Sequence, residues 1–180
     1  MRVYFLLAGF LALSLNAASF DLSKAKSEVG FLAIGQPSSL KIKGVAQGEK
    51  TVAGTFKIEG KTFSGRALLK LSSLDTGIEM RDQHMKEKYL EVQKFPVAEL
   101  TVTDLSVGAK EAPFKGELKL HGVQKPVDGK ATVQANGSEL NLTFEFGLLL
   151  KDYAIEIPSY LGIKVANEVK ITATAEGKMN

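Results

Sequence analysis

The chain has 180 residues, and its 23 lysines and arginines against 20 aspartates and glutamates give a formal net charge of +3. It contains no cysteine, which excludes both a disulfide-stapled scaffold and a lipid anchor on cysteine. The lysines are spread along many segments, and this distribution argues against nucleic-acid binding. A chain of this length has room for one sizeable hydrophobic core, and that core must hold the fold together.

The chain begins with the sequence MRVYFLLAGFLALSLNAAS, which has the layout of a secretory signal peptide. One cation, Arg2, precedes an apolar run from Val3 to Leu15, and small residues follow. Neither this run nor any later segment reaches the roughly 18 consecutive apolar residues of a transmembrane helix. We therefore predict a signal peptide at residues 1–17, cleaved after Ala17 or Ala18, followed by one exported domain at residues 18–180.

Apolar and polar residues alternate along most of the remaining chain, as in half-buried antiparallel strands. The clearest alternating segments are residues 40–43, 55–59, 100–103, 117–121, 141–146 and 169–173. Residues typical of turns separate the segments at 47–50, 59–61, 108–113 and 136–137, and a loop with one helical turn is predicted at 155–163. The pattern predicts an all-β domain of roughly eight to ten strands.

One segment, from Asp75 to Pro96, departs from this alternation and predicts a short amphipathic helix. Thr76 and Glu79 have the spacing of a capping box at a helix start. Asp82 and Lys86 form a favourable acid-to-base pair four residues apart. The predicted apolar face of this helix consists of Ile78, Met85, Tyr89 and Val92, and the helix must end before Pro96.

Because every predicted strand has one apolar face, the sheet must pack on a second sheet or close on itself. A closed barrel of about eight strands has an interior that is filled by side chains or holds one small ligand. The alternation predicts that these residues face inward: Leu40, Ile42, Phe56, Ile58, Phe63, Leu69, Leu71, Leu100, Val102, Leu118, Leu120, Val133, Leu142, Phe144 and Phe146. None of them is ionisable, so a ligand held by them should be long and apolar.

Catalytic and metal-binding patterns are weak in this sequence. His84 and His121 are the only histidines, and neither has the companions that a zinc or iron site needs. His121 falls on the polar face by alternation and is predicted to be solvated. The carboxylates around the helix (Asp75, Glu79, Asp82 and Glu87) are more typical of a solvated face than of a catalytic pair. No enzyme activity, metal or catalytic cofactor is predicted.

Three segments together resemble the YceI-like family. They are Asp75-Thr76-Gly77 with Arg81-Asp82-Gln83-His84-Met85 and the run from Tyr89 to Pro96; Leu120-His121-Gly122-Val123-Gln124-Lys125-Pro126-Val127; and the stretch from Lys151-Asp152-Tyr153 to Val169. The resemblance implies a lipocalin-like antiparallel barrel in the bacterial periplasm that encloses an isoprenoid quinone, a polyisoprenoid or a related long-chain amphiphile. Members of the family often carry a histidine near the second strand, where this chain has Phe31-Leu32-Ala33-Ile34.

The sequence leaves several alternatives open. Arg81, Asp82 and His84 match the family motif and either tie the helix to the barrel rim or contact a ligand headgroup. The protein is predicted to be a carrier of a long apolar molecule, with a filled, ligand-free structural or stress-response barrel as the alternative. An outer-membrane β-barrel is disfavoured by the absence of Trp and the predicted helix. Transient membrane contact and homodimerisation stay open.

Overall fold

The computed structural model describes residues 17–37, 40–48, 50–160 and 162–180, and it confirms the all-β class with one short helix. The strands are β1 (Ala18–Asp21), β2 (Lys26–Gln36), β3 (Leu40–Ala46), β4 (Val52–Glu59), β5 (Thr62–Lys70), β6 (Leu74–Asp75), β7 (Val97–Ser106), β8 (Gly108–Leu120), β9 (Val123–Asn136), β10 (Glu139–Leu149), β11 (Ser159–Tyr160) and β12 (Ile163–Lys178). The helical segments are α1 (Glu79–His84), a π-helical turn (Met85–Tyr89) and three 3-10 turns at Leu22–Lys24, Leu71–Ser73 and Leu150–Tyr153. Residues 1–16, which carry most of the predicted signal peptide, lie outside the described residues.

The strands form one antiparallel sheet that curls around a single core as a half-barrel. Its main path runs β1-β4-β5-β7-β8-β9-β10-β12-β2-β3-β6, and β11 pairs with β12 beside it. The short strands β1 and β6 form the two ends of this path. Two backbone hydrogen bonds join Ser19 of β1 to Asn180, at 2.8 and 3.2 Å. The first edge of the sheet therefore lies against the end of the chain.

The strand count differs from the prediction, because the sheet has twelve strands within the described residues. The additional strands include β6 and β11, which have two residues each, and β1, which has four. A strand of two residues is too short to display an alternating pattern. Such strands are set by the backbone of the neighbouring strand, as in the pairing of β6 with Val45 and Ala46.

The prediction of a loop at residues 108–113 is wrong, because this segment belongs to β8. Its pairing with β9 shifts in register between Gly108 and Ala112, as at a β-bulge. Pro113 lies opposite Lys130 of β9, whereas the pairing of β8 with β7 spans only Gly116 to Lys119. A proline is tolerated where one side of a strand has no ladder partner. The glycine and proline that suggested a turn therefore mark an irregular strand.

The other predicted turns agree in part with the structure. The hairpins at Gly60–Lys61 and Gly137–Ser138 follow from the pairing of Glu59 with Thr62 and of Asn136 with Glu139. The predicted turn at residues 47–50 includes Glu49, which lies outside the described residues. The helical turn expected within residues 155–163 occurs earlier, at Leu150–Tyr153. No helix in the described ranges is long and apolar enough to cross a membrane.

The predicted helix is present, but its capping box is not formed. Ile78 occupies the N-cap position and makes no side-chain capping bond. Thr76 instead donates to the carboxylate of Asp82, because that carboxylate lies within reach and accepts two hydrogen bonds from it. The helix then widens into the π-helical turn, in which the Leu90 amide donates to the Met85 carbonyl over 2.9 Å.

One end of the interior is solid with aromatic rings. We call it the filled end, and its rings belong to Phe56, Phe63, Phe114 and Phe144. The ring centroids of Phe56 and Phe63 lie 4.5 Å apart, and those of Phe114 and Phe144 lie 5.2 Å apart in an edge-to-face arrangement. Each of these side chains is at most 4% exposed. Aromatic packing of this kind stabilises a core beyond the area that it buries.

Candidate ligand-binding cavity

The rest of the interior encloses a cavity of about 580 Å³. Strands β2, β3, β5, β7, β8, β10 and β12 contribute to its wall, as do α1 and the segment after β10. Its described lining is almost wholly apolar, and the exceptions are Thr76, Arg81, His84, Tyr89 and Ser159. A volume between about 300 and 1,000 Å³ with few polar groups is typical of a small-molecule site.

Small side chains at inward positions create this space. Ala33, Ala67, Ala98 and Ala173 all line the cavity, each on a different strand. Ala98 of β7 pairs with Leu69 of β5, so a small and a large side chain lie next to each other on the wall. At these four alanines the wall carries only a methyl group, and the interior is left partly open.

The predicted inward-facing residues divide between the cavity and the rest of the core. Those that line the cavity are Leu40, Ile42, Leu69, Leu71, Leu100, Leu118, Leu120 and Phe146. Those that pack elsewhere, mainly towards the filled end, are Phe56, Ile58, Phe63, Val102, Val133, Leu142 and Phe144. Contact of the first group with a ligand stays a prediction.

Strands β2 and β12 supply lining residues that the predicted set omits. They include Val29, Phe31, Val165, Val169 and Ile171. In β12 the alternation Val169-Lys170-Ile171-Thr172-Ala173 is consistent with one inward face, and its apolar residues could have been added to the predicted set. In β2 the run Phe31-Leu32-Ala33-Ile34 is apolar at every position, so the alternation could not assign its faces.

The helical segment forms one side of the cavity. Ile78, Met80, Arg81, His84 and Met85 line it. Ile78 and Met80 are nevertheless 53% and 58% exposed, and Leu40 of β3, which also lines the cavity, is 48% exposed. Apolar side chains that both line the cavity and reach the surface mark its open end, which we define by Leu40, Ile78 and Met80. Val92, the last residue of the predicted apolar face, is buried in the core.

Arg81 and Asp82 both bind Thr76, the first residue after β6. The Asp82 carboxylate accepts from the Thr76 amide at 2.9 Å and from its hydroxyl at 2.6 Å. Arg81 donates from Nε to the Thr76 hydroxyl at 2.7 Å and from Nη2 to the Thr76 carbonyl at 2.8 Å. Asp82 is only 8% exposed. The two side chains therefore fix α1 to the end of β6.

His84 differs from its two neighbours. Its side chain lines the cavity, next to Arg81. Within the part of the chain that the structure describes, it has no hydrogen-bond partner. A polar ring in this position is available to a bound molecule.

His121 is not the solvated strand residue that the alternation predicts. Strand β8 ends at Leu120, and His121 lies in the turn to β9 with a positive φ of 50°. The alternation of β8 therefore does not extend to it. Its side chain is only 9% exposed. Nδ1 lies 3.0 Å from the Tyr153 carbonyl, Nε2 lies 2.8 Å from a Glu91 carboxylate oxygen, and the Phe95 ring packs at 4.5 Å.

Comparison with known proteins decides the family. The profile of the YceI-like domain matches residues 20–177, which is nearly all of the described chain. The chain belongs to the YceI-like family.

Among YceI-like relatives, Protein YceI of Salmonella arizonae is 30% identical over an alignment of 138 residues, and the match covers 71% of this chain and 71% of the relative. The UPF0312 protein of Pseudomonas savastanoi pv. phaseolicola is 38% identical over an alignment of 104 residues, and the match covers 51% of this chain. That match spans only about half of the relative, 54% of its length.

Two solved structures share the YceI-like fold. BcnA of Burkholderia cenocepacia has a TM-score of 0.69 at 18% identity, covering 84% of this chain and 96% of its own. A polyisoprenoid binding domain from Saccharophagus degradans has a TM-score of 0.65 at 16% identity, covering 92% and 99%. At these identities the similarity supports the fold alone.

Asp82 attaches α1 of this YceI-like domain to the end of β6. Replacing Asp82 with Ala leaves the Thr76 amide and hydroxyl without their acceptor in a partly buried position. We expect the free energy of unfolding to fall by about 1–3 kcal/mol, the cost of an unsatisfied buried donor. Urea denaturation measures this change. The matched control is Glu87→Ala, an exposed carboxylate of the same segment, for which a change within about 0.5 kcal/mol is expected. Equal effects of the two substitutions would contradict the role of Asp82.

A second prediction concerns Tyr153, which is 2% exposed. Burial, helped by the charge of Asp152, raises the pKa of Tyr153 to about 12. Because the unfolded phenol ionises near pH 10 and the folded phenol does not, the unfolded state binds fewer protons between about pH 10 and about pH 12. Stability should therefore fall with rising pH across that range, by up to about 1.4 kcal/mol per pH unit from this residue. Urea denaturation of Tyr153→Phe alongside the native chain, at several pH values, isolates the contribution of the Tyr153 phenol to this fall in stability. An identical alkaline slope in both would show that Tyr153 does not contribute.

Proposed function

We propose that this protein is a non-catalytic carrier that holds a long apolar molecule in the cavity. Polyisoprenoids, isoprenoid quinones and fatty-acyl amphiphiles are the ligand classes that fit. The observation that carries the proposal is the cavity of about 580 Å³ with a nearly continuous apolar lining. The fold similarity to a structure described as a polyisoprenoid binding domain supports the same class.

Apolar burial supplies most of the affinity. Each methylene moved from water into the cavity contributes about 0.8 kcal/mol, so a long chain binds without a single hydrogen bond. The filled end stops the ligand at the aromatic cluster. A hydrocarbon tail therefore enters from the open end and extends along the wall formed by residues such as Leu100, Leu118 and Val169.

The polar groups of the lining favour a ligand with a polar end. Arg81, His84 and Thr76 all lie on the helical side. Arg81 uses Nε and Nη2 to bind Thr76, and we propose that Arg81 and Asp82 hold the helix while His84 contacts the ligand headgroup. An amphiphile would then bind with its tail towards the filled end and its headgroup beside α1.

Export of this carrier to the periplasm follows from the predicted signal peptide and is part of the proposal. Transient membrane contact and homodimerisation are not part of it. The alternative, a ligand-free structural or stress-response barrel, is supported by the interlocked phenylalanines of the filled end. The cavity beside them favours the carrier.

A series of saturated fatty acids of increasing chain length tests the proposal. Binding is measured by displacement of a fluorescent fatty acid from the purified protein. We expect affinity to rise with each added methylene until the tail reaches the filled end and then to level off. His84→Ala should weaken fatty-acid binding without changing the dependence on chain length. Absence of binding at every length would contradict the carrier and favour the structural barrel.

A further inference from the structure

The two ring nitrogens of His121 both face groups that accept hydrogen bonds. The Tyr153 carbonyl is an acceptor only, and so is an ionised Glu91 carboxylate. The distances of 3.0 Å from Nδ1 and 2.8 Å from Nε2 are those of hydrogen bonds. A neutral imidazole has one N–H and can donate to only one of these acceptors. Both contacts are satisfied when the ring carries a proton on each nitrogen.

We propose that His121 is an imidazolium that joins two sides of the cavity and thereby positions its lining. We call this arrangement the His121 bridge, and it consists of Glu91, His121 and the Tyr153 carbonyl. The proposal assigns a charge and a positioning role to a residue that does not itself line the cavity.

The two partners of His121 belong to different sides of the cavity. Glu91 directly follows Tyr89 and Leu90, which line the helical side. Tyr153 precedes Ile155 and Ser159, which line the cavity from the segment after β10. The two sides also meet where the Ser159 amide donates to the Tyr89 hydroxyl at 3.4 Å. The two hydrogen bonds of the His121 bridge are shorter than this bond between Ser159 and Tyr89, and the bond to the Glu91 carboxylate is charge-assisted.

The surroundings supply the charge balance of the bridge. Glu91 offers the negative charge from the helical side. On the other side Asp152 neighbours Tyr153, whose phenol stays neutral because burial raises its pKa to about 12. Phe95 covers the imidazole, and the Lys94 ammonium lies 4.9 Å from the centre of the Phe95 ring. The paired carboxylate in direct contact compensates the imidazolium.

Nitrogen-15 NMR of the imidazole ring at neutral pH tests the protonation state. In the native chain we expect both ring nitrogens of His121 to have the chemical shift of protonated nitrogen. The matched variant is Glu91→Gln, whose amide can donate to Nε2, so that a neutral ring satisfies both contacts. In this variant we expect one protonated and one unprotonated nitrogen. A single protonated nitrogen in the native chain would overturn the assignment, and an unchanged imidazolium in Glu91→Gln would overturn the role of the Glu91 carboxylate in it.

The positioning role is tested separately by the methyl groups of the lining. In His121→Ala we expect the methyl shifts of both Met85 and Ile155 to change, while that of Leu100 on β7 stays constant. Binding of geranylgeraniol should weaken about three- to tenfold; this readout rests on the proposed function, whereas the two NMR readouts do not. Constant Met85 and Ile155 shifts would overturn the positioning role. If the methyl shifts change but native protein shows no geranylgeraniol binding, the carrier fails and the bridge stands.

Discussion

Replacing Ala98 with Phe is expected to weaken binding of a long-chain ligand about tenfold or more while leaving the chain folded. Ala98 is 9% exposed, lines the cavity and lies beside Leu69 of the neighbouring strand. A phenyl ring at this position occupies part of the space that a ligand tail would fill. Displacing two methylenes, at about 0.8 kcal/mol each, already exceeds the 1.4 kcal/mol of a tenfold change in affinity. Titration with geranylgeraniol measures the loss.

The matched control for this experiment is the same substitution at Ala131. That residue is 3% exposed, pairs with Phe144 and does not line the cavity. Since no space is available there, Ala131→Phe should destabilise the chain by about 1–3 kcal/mol through overpacking. Ala98→Phe should leave the melting temperature nearly constant. If Ala98→Phe binds geranylgeraniol as well as the native chain, the cavity is not the ligand site.

Replacing Phe144 with Ala is expected to produce the largest loss of stability. Its ring is 4% exposed and packs against Phe56, Phe63 and Phe114, with centroids 5.2 to 6.4 Å away. Removing it leaves a void in the filled end, and comparable substitutions lower the free energy of unfolding by about 3–5 kcal/mol. Because Phe144 does not line the cavity, geranylgeraniol affinity of the folded fraction should stay nearly constant.

Chemical denaturation and titration of the same samples check both parts of this prediction. Leu149→Ala is the control, since Leu149 is a strand residue with 41% of its surface exposed, and its effect should be much smaller. A loss below about 1 kcal/mol for Phe144→Ala would mean that the filled end is not the main aromatic core.

The fold class and the family were predictable because their signals are local. Alternation along the long strands β10 and β12 indicates a sheet without knowledge of its neighbours. The run from Asp75 to Pro96 breaks that alternation over enough residues to indicate a helix. The short strands β6 and β11 could not be predicted, since two residues carry no period.

The division of the interior was not predictable from alternation. The pattern indicates that Phe144 and Leu118 both face inward, but it does not indicate how far along the half-barrel each lies. That depth depends on the register between strands, which places Phe144 opposite Ala131 and Leu118 opposite Leu100. The cavity then arises where small residues from several strands meet, and this is a non-local property.

The polar contacts were equally dependent on tertiary structure. Thr76 and Glu79 have capping-box spacing, yet Asp82 accepts the Thr76 hydrogen bonds. His121 follows the polar positions of β8 but lies in a turn, where Glu91 and the Tyr153 carbonyl enclose it. Glu91 lies 30 positions before His121 in the chain, and Tyr153 lies 32 positions after it. No short-range pattern relates them.

The most direct test of the carrier is mass spectrometry of organic extracts from the native chain and Ala98→Phe, each expressed in the native host and purified identically. We predict that a long-chain amphiphile co-purifies with the native chain and is strongly depleted in Ala98→Phe. Equal amounts of the same lipid in both preparations, or none in either, would contradict the claim that the cavity holds a long apolar ligand.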